Sequence, residues 1–443
     1  MVDDPEGLRA RLRSRLAEEP AATARGKVRA VTGLSLRAVL PAARIGDVVV
    51  VERPSLRGGD LACEVVGFDD EDAVLMPLGA LAGVGPDDPV RVEPTGAELF
   101  VDDRWLGRIV DGLGRPIDGQ GPLPRGRSTP VEGRPPNPLA RKPIERPLET
   151  GVRALDGLLT LAEGQRIGLF AGSGVGKSTL LGAIARGCAA DAVVVALVGE
   201  RGREVGEFLE HTLGEDGRKK SVVVVATSDA SALERLRAAQ VATAIAERLR
   251  DDGKSVLLLV DSITRFARAQ REIGLAAGEP PTRRGYPPSA FALLPKLLER
   301  AGCGPRGSGA ITAIYTVLIE GSDMEEPIAD EVRGILDGHV VLDRAIAARG
   351  RYPAIDVSAS LSRVMDVVVT KEQLAAARVV RSRLAAYEQK RDLISIGAYQ
   401  RGHDAELDRA VAAMPAIDAF LKQDPKQAVP FAETARALAA LGR

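Results

Sequence analysis

The stretch from Gly168 to Thr179 most constrains what this chain folds into. It reads Gly168-Leu169-Phe170-Ala171-Gly172-Ser173-Gly174-Val175-Gly176-Lys177-Ser178-Thr179, an apolar run turning through glycines into a helix start. The pattern of a phosphate-binding loop is Gly, four residues, then Gly-Lys-Ser/Thr. Ala171 takes the first position, where a small residue suffices at the turn, and Gly176-Lys177-Ser178 completes the pattern. Gly172, Ser173, Gly174, Val175 and Gly176 let backbone N–H groups curl around a polyphosphate such as that of ATP. The following helix, with Thr179 in its first turn, points its positive end at the same anion. Lys177 reaches the β- and γ-phosphates, and the Ser178 hydroxyl is placed to ligate Mg²⁺.

A loop of this kind needs a buried strand before it and a helix after it, and the sequence repeats that alternation from about residue 150 to 370. Arg166–Phe170, Ala192–Val198, Val222–Ala226, Val256–Val260, Ala310–Leu318 and His339–Leu342 are runs rich in Val, Ile and Leu. Such runs suit parallel strands covered on both faces. Helical stretches such as Ser231–Arg250 lie between them. The expected core is an α/β domain with a parallel sheet, whose ligands gather at the C-terminal strand ends.

Two strand ends carry charge. Val256–Val260 ends in Asp261, a carboxylate suited to hold Mg²⁺ through water and orient Ser178. The bland reading is an Asp capping the helix that starts near Ser262; the two roles are compatible, and the Mg²⁺ role is favoured. Ala192–Val198 runs into Gly199-Glu200-Arg201-Gly202-Arg203-Glu204. Glu200 beside a γ-phosphate would orient and polarise the attacking water, and Arg201 would steady developing charge. The bland alternative is a charged loop making surface ion pairs.

Composition bounds the rest. At 443 residues the chain is too long for one core and suggests two or three domains. Its 45% hydrophobic and 27% charged residues suit a soluble globular protein. A net charge of −1 gives no global pull towards nucleic acid or an acidic membrane. Cys63, Cys188 and Cys303 are scattered without metal-ligand spacing and fit a reducing compartment. No apolar run reaches the length of a membrane span, and the N-terminus lacks an apolar signal core, so a cytoplasmic protein is expected.

Four regions follow from the pattern. In residues 1–25, Leu8, Leu12 and Leu16 form a narrow apolar stripe on a basic helix, either a solvated tail or a helix that docks on a partner. Residues 26–95 carry short runs, Lys27–Val31, Asp47–Glu52, Leu61–Val66, Ala73–Met76 and Val90–Val92, split by glycine turns, the pattern of a small β-barrel. Phe68 is its only aromatic and acids outnumber bases, so a structural or assembly module is expected rather than an oligonucleotide binder. Residues 96–370 form the nucleotide domain, opened by a Pro/Gly-rich connector over 96–150 that suits neither regular helix nor central strand. Residues 371–443, rich in Ala, Leu, Arg and Lys, read as a helical domain.

Two further stretches draw notice. Glu272–Ser289, including Gly278–Pro288, reads as a long irregular loop after the Asp261 helix, either functional or a connector. Tyr352–Arg363 follows the last expected strand. Tyr352 is suited to stack on adenine, and an arginine such as Arg363 is often supplied to phosphoryl transfer by a neighbouring subunit.

Gly168–Thr179, Gly199–Val205, Leu257–Arg268, Gly278–Phe291, Leu297–Gly302, Tyr315–Asp323, Ile328–Leu342 and Tyr352–Val364 together resemble the type III protein-export ATPases, relatives of the rotary ATP synthase subunits. Pro353-Ala354-Ile355-Asp356 with Ser360 and Ser362 is similar to that superfamily's signature, and Arg391–Tyr399 to the start of the family's C-terminal domain. Gly285–Phe291 and Leu294-Pro295 look closer to the flagellar branch than to the virulence injectisome branch. The resemblance implies a homohexamer with a β-barrel crown, a RecA-like P-loop ATPase core and a C-terminal helical domain. It implies Lys177 as the phosphate lysine, Ser178 and Asp261 on magnesium, Glu200 as the water-activating base and Arg201 on the γ-phosphate. It implies Arg363 as the arginine donated across the subunit interface, Tyr352 on the adenine side, and the Glu279–Tyr286 loop facing a central pore.

The expected function is therefore an Mg²⁺-dependent ATP hydrolase at a flagellar export gate, cytoplasmic and peripheral to the inner-membrane export apparatus. Implied partners are a dimeric regulator at the N-terminal helix, a central-stalk protein, the export gate, and export chaperones with their substrates, with no nucleic acid. The injectisome ATPase is the near alternative. A RecA-type hexameric RNA helicase is a remoter one, opposed by the aromatic-poor barrel, and a non-catalytic ring subunit is opposed by the presence of Glu200.

Overall fold

The computed structural model describes residues 25–53, 58–93, 98–319 and 323–443. The expected N-terminal helix thus lies outside the described residues, except that Arg25 opens the first strand. The chain divides into two compact units, Met1–Glu98 with Glu272–Glu279, and Leu99–Arg271 with Pro280–Arg443.

The first unit contains a closed barrel. Its strands are β1 (Arg25–Thr32), β2 (Ser35–Val39), β3 (Val48–Val51), β4 (Leu61–Asp69), β5 (Asp72–Pro77) and β6 (Pro89–Val92), paired in the order β1-β2-β5-β4-β3-β6 and closed by β6 on β1. Alternate residues fill the interior, among them Val28, Leu36, Val49, Cys63, Val65 and Leu75, as the two-residue period of strands requires. Burial pushes the Cys63 thiol up to about 12, so it is an inert packing group. Phe68 is exposed. β2 lacks a continuous apolar run, because Arg37 interrupts its apolar residues.

In the second unit β7 (Glu98–Val101) pairs with β9 (Arg127–Pro130), while β8 (Ile109–Asp111) joins the main sheet. The connector region therefore supplies an edge strand, although no central one. The sheet's other strands are β10 (Arg166–Ala171), β11 (Ala192–Glu200), β12 (Ser221–Thr227), β13 (Ser255–Asp261), β14 (Gly302–Cys303), β15 (Ala310–Leu318), β16 (Gly338–Leu342) and β17 (Ile355–Ser362). Their order is β17-β16-β10-β15-β13-β11-β12-β8, with β14 on β15. All neighbours run parallel except β17 on β16 and β14 on β15. Every residue of β11 is buried, which explains its unbroken Val/Leu/Ala run.

Two expectations need correction. The stretch after Tyr352, expected to follow the last strand, is itself the last strand, β17, an antiparallel edge strand whose serines and half-exposed face conceal it from an apolar-run criterion. The segment expected as loop from Glu272 is helical as far as Ala276, within a helix Ile263–Ala276. The irregular part begins after it and contains one tight turn at Arg283–Gly285. Tyr286 at its end is only 3% exposed, held by Arg271 over its ring and by the edge of Phe291.

Helices cover both sheet faces. Ala232–Asp251 starts at Ser231, whose hydroxyl accepts the Glu234 N–H at 3.2 Å. The C-terminal helices Lys371–Ser395, Ala405–Leu421 and Phe431–Leu441 share one apolar core with the sheet, from Leu169 and Leu197 to Phe420 and Leu438. Among the described residues no helix is long and apolar enough to cross a membrane.

Candidate active site

β10 delivers the phosphate loop. Ala171 is fully buried as the last residue of β10, in register with Leu318 and Leu342, so the first position of the motif belongs to the strand. Gly174 and Gly176 adopt φ of 77° and 87°, left-handed values that favour glycine. The Lys177–Gly187 helix begins directly after Gly176 with no side chain capping it. Its first N–H groups are therefore free for an anion. Val175 is 2% exposed and packs in the core, so it offers the site only its backbone.

A cavity of about 730 Å³ opens over this loop. Gly172, Ser173, Gly174, Lys177, Ser178 and Thr179 form its floor. Its walls come from the ends of neighbouring strands and from the helix after β13. Glu200 and Arg201 enter from β11, and Arg265, Arg268 and Arg344 complete the rim. Arg344 also reaches towards the Ser173 carbonyl at 3.5 Å.

Lys177 is the electrostatic centre. Its ammonium lies 3.3 Å from Glu200 Oε1 and hydrogen-bonds Asp261 Oδ1. All three are nearly buried, with side-chain exposures of 11%, 9% and 3%. Two carboxylates thus occupy the cation that a polyphosphate would otherwise take. Asp261 Oδ1 also accepts the Thr316 hydroxyl at 2.7 Å. Asp261 does not cap the next helix; the Ser262 hydroxyl does so, accepting the Arg265 N–H at 3.3 Å.

Glu200 owes its position to an irregularity. The register of β11 against β12 shifts between Val198 and Glu200, where Gly199 takes φ of 68°. Such a bulge breaks the strand alternation and re-aims the side chain that follows. Arg265 Nη1 then lies 2.7 Å from Glu200 Oε2, a charge contact without hydrogen-bond alignment. Sequence reasoning did not single out Arg265. Its only signal is its place one helical turn after Asp261. Arg201 is expected beside the phosphates, but its side chain is 77% exposed and pairs loosely with Glu204 at 3.7 Å.

Tyr352 stands in a second cavity, of about 310 Å³, that shares Gly176 and Thr179 with the first. Its ring lies against Gly176, where a Cβ would sit 3.6 Å from it. Arg363 is not brought to the loop. It is exposed after β17, and its N–H bonds the Asp337 carbonyl at 3.0 Å. Asp337 in turn binds Arg166, the first residue of β10. Arg166 and Ala171 stand at opposite ends of that strand, roughly 16 Å apart at ~3.3 Å per residue.

Donor chemistry at the loop suits a hard divalent cation. Ser178 and Asp261 offer a hydroxyl and a carboxylate, and a magnesium ion bound there would take few protein ligands besides substrate phosphates.

The chain is similar to known proteins along most of its length. Residues 151–362 match the model of the ATP synthase alpha/beta family, nucleotide-binding domain. Residues 369–440 match the T3SS EscN ATPase C-terminal domain. The chain is 51% identical to the flagellum-specific ATP synthase of Bacillus subtilis, over 94% of each chain. It is 52% identical to the type 3 secretion system ATPase of Sinorhizobium fredii, over 93% of this chain and 90% of that one. The structure resembles that of the assembled ATPase EscN from the enteropathogenic E. coli type III secretion system, with a TM-score of 0.88 and 46% identity. That likeness spans 94% of this chain and all of the other. A second likeness, with a TM-score of 0.85, is to EscN in complex with its central stalk EscO.

Proposed function

The chain belongs to the ATP synthase alpha/beta family, in its branch of flagellum-specific and type 3 secretion ATPases, and we propose that it is an Mg²⁺-dependent ATP hydrolase serving protein export in flagellum assembly. The carrying observation is Lys177 held between Glu200 and Asp261 over an uncapped helix start. An arriving triphosphate takes over the Lys177 ammonium and lies across the free N–H groups. That exchange frees both carboxylates. Ser178 and Asp261 are the residues that would hold magnesium, which neutralises charge on the phosphates. Glu200, released from Lys177 and steadied by Arg265, accepts the proton of a water attacking the γ-phosphorus. Arg201 swings from Glu204 towards the cavity to meet the phosphates.

Arg363 acts on the loop of a neighbouring copy in a homohexamer. Its position at the far end of its own sheet supports that reading, since an arginine side chain does not span the distance to its own Lys177. The assembled form of EscN, and its complex with a central stalk, support a ring and a stalk partner for this chain too. The regulator at the N-terminal helix, the export gate, the chaperones and a pore-facing 279–286 loop complete the proposal, at the cytoplasmic side of the membrane.

ATPase rate per subunit, measured against protein concentration with mass recorded in the same samples, tests the ring. The rate rises as rings form; a flat dependence argues for a self-sufficient monomer. The flagellar branch is favoured over the injectisome by Gly285–Phe291 and Leu294-Pro295, since relatives of both kinds are about equally identical. Deletion of the gene abolishes flagellar filaments on this reading. Intact motility with lost effector secretion assigns the chain to the injectisome instead.

A further inference from the structure

Gln165 immediately precedes β10 and is fully buried. Its Nε2 donates to the Asp337 carbonyl at 3.1 Å and to the Ser362 hydroxyl oxygen at 3.1 Å. Its Oε1 accepts the Ala162 N–H at 3.0 Å. Both acceptors of Nε2 adjoin Arg363. Ser362 is the residue before it, and the Asp337 carbonyl is the acceptor of the Arg363 N–H. The Ser362 hydroxyl in turn donates to the Thr160 carbonyl at 2.9 Å. One amide thus bridges the entrance of β10 to the last residue of β17 and to the mooring point of Arg363.

The strands also approach closely here. Ser362 pairs with Gly338, where a Cβ would lie 2.3 Å from the Leu361 carbonyl oxygen. Two residues beyond Arg363, Met365 is buried in the core. The Arg363 backbone is therefore fixed on both sides, while its side chain is exposed. Filling the space would not need an amide. A buried amide gains little over an apolar side chain of its size, because its bonds replace bonds to water. What a satisfied polar network adds is a single defined arrangement. A long, exposed arginine that must meet phosphates held by another chain needs such a root, since its own rotamers already give it freedom.

We infer that Gln165 is a positioning residue for Arg363, its amide fixing the end of β17 so that the guanidinium meets the nucleotide of the neighbouring subunit. This rests on the reading of Arg363 as an arginine acting across the interface. Gln165 opens the strand that leads to its own phosphate loop, yet its effect on turnover falls on the loop of the next copy.

Gln165→Met keeps the length of the side chain and removes the three bonds. The Asp337 carbonyl retains the Arg363 N–H, and the Ser362 hydroxyl retains the Thr160 carbonyl, so neither is left unpaired. The kcat for ATP should fall by ~10²-fold, as for a catalytic group misplaced by about 1 Å, with KM and the affinity for a fluorescent nucleotide retained. Mixed with Lys177→Ala subunits, Gln165→Met should regain turnover, because its intact loop then meets a well-held Arg363. A kcat equal to that of the wild type overturns the inference. So does a loss that Lys177→Ala subunits leave unrescued in mixtures where they rescue Arg363→Ala, since the defect then lies in the loop of the same chain. If Gln165→Met does not fold, Ser362→Ala breaks the bridge from the β17 side and is judged by the same outcomes. Should the wild type fail to hydrolyse ATP, or Arg363→Ala keep full turnover, the reading of Arg363 fails by itself. A nitroxide on Arg363→Cys then still decides the role of Gln165, the native Cys63, Cys188 and Cys303 being buried. In monomeric samples the label should be more mobile when Gln165→Met is added, and equal mobility overturns the inference.

Discussion

Arg363 donates its N–H to the Asp337 carbonyl at 3.0 Å, and this bond moors it at the end of the sheet away from Lys177. Asp337 clasps Arg166 at the opening of β10, while Lys177 follows the closing residue of that strand by one loop. The antiparallel course of β17 is what carries Arg363 back to that end. Arg363→Ala is therefore predicted to abolish turnover while sparing nucleotide binding. Mixing it with inactive Lys177→Ala subunits should restore some turnover, because mixed interfaces pair an intact loop with an intact arginine. Absence of rescue in mixtures shown by mass to form rings would sink the shared-site reading.

Glu200 lies 3.3 Å from the Lys177 ammonium and lines the cavity over the phosphate loop. Glu200→Gln keeps the shape and removes the proton acceptor. It should bind ATP and hydrolyse it ~10²–10⁴-fold more slowly. Binding is read by displacement of a fluorescent nucleotide and turnover by phosphate release. A variant that turns over like the wild type removes Glu200 from the chemistry.

Arg265 lies against Glu200 on the rim of the phosphate cavity, with 2.7 Å between Nη1 and Oε2. Its loss leaves Glu200 free to swing, and misplacing a catalytic group by about 1 Å costs on the order of 10²-fold. Arg265→Ala should lower kcat by about that factor. Arg265→Lys keeps the charge but loses the planar fork, so it should recover part of the rate. A structural role alone would instead lower the melting temperature of both variants and leave kcat of the folded fraction intact.

These residues also mark where the sequence speaks and where it is silent. The phosphate loop, Asp261 and the buried strands are legible because each is a local pattern: a glycine spacing, a charge at the end of an apolar run. Glu200 is legible as a candidate but not in its aim, since the bulge at Gly199 becomes visible only against the register of β12. Arg265 is one of three arginines on its helix, and its partner lies at the end of β11. β17 escapes notice because an edge strand with serines and one wet face lacks the apolar run of its neighbours. Gln165 is a polar residue before an apolar strand until the fold sets it against Asp337 and Ser362. Contacts made by long-range packing leave little local trace, and the finer parts of this site are made that way.

The buried corner at Thr150 and Gly151 carries a pH-dependent prediction. Asp156 accepts N–H bonds from Thr150 and Gly151 at 2.9 and 3.0 Å and the Thr150 hydroxyl at 2.7 Å. Burial nevertheless outweighs these bonds and lifts its carboxyl to about 6, against ~3.9 for an unfolded aspartate. Between those two values the folded chain binds more proton at this site than the unfolded one. Stability from Asp156 therefore falls as pH rises through that window and is level above it. In Asp156→Asn the titration is gone, while every other group titrates as before. The melting temperature of the wild type minus that of Asp156→Asn should thus increase as pH is lowered from 7 to ~4.5. A difference that stays flat over this range shows that the buried carboxyl is not perturbed, and that its three bonds compensate its desolvation in full.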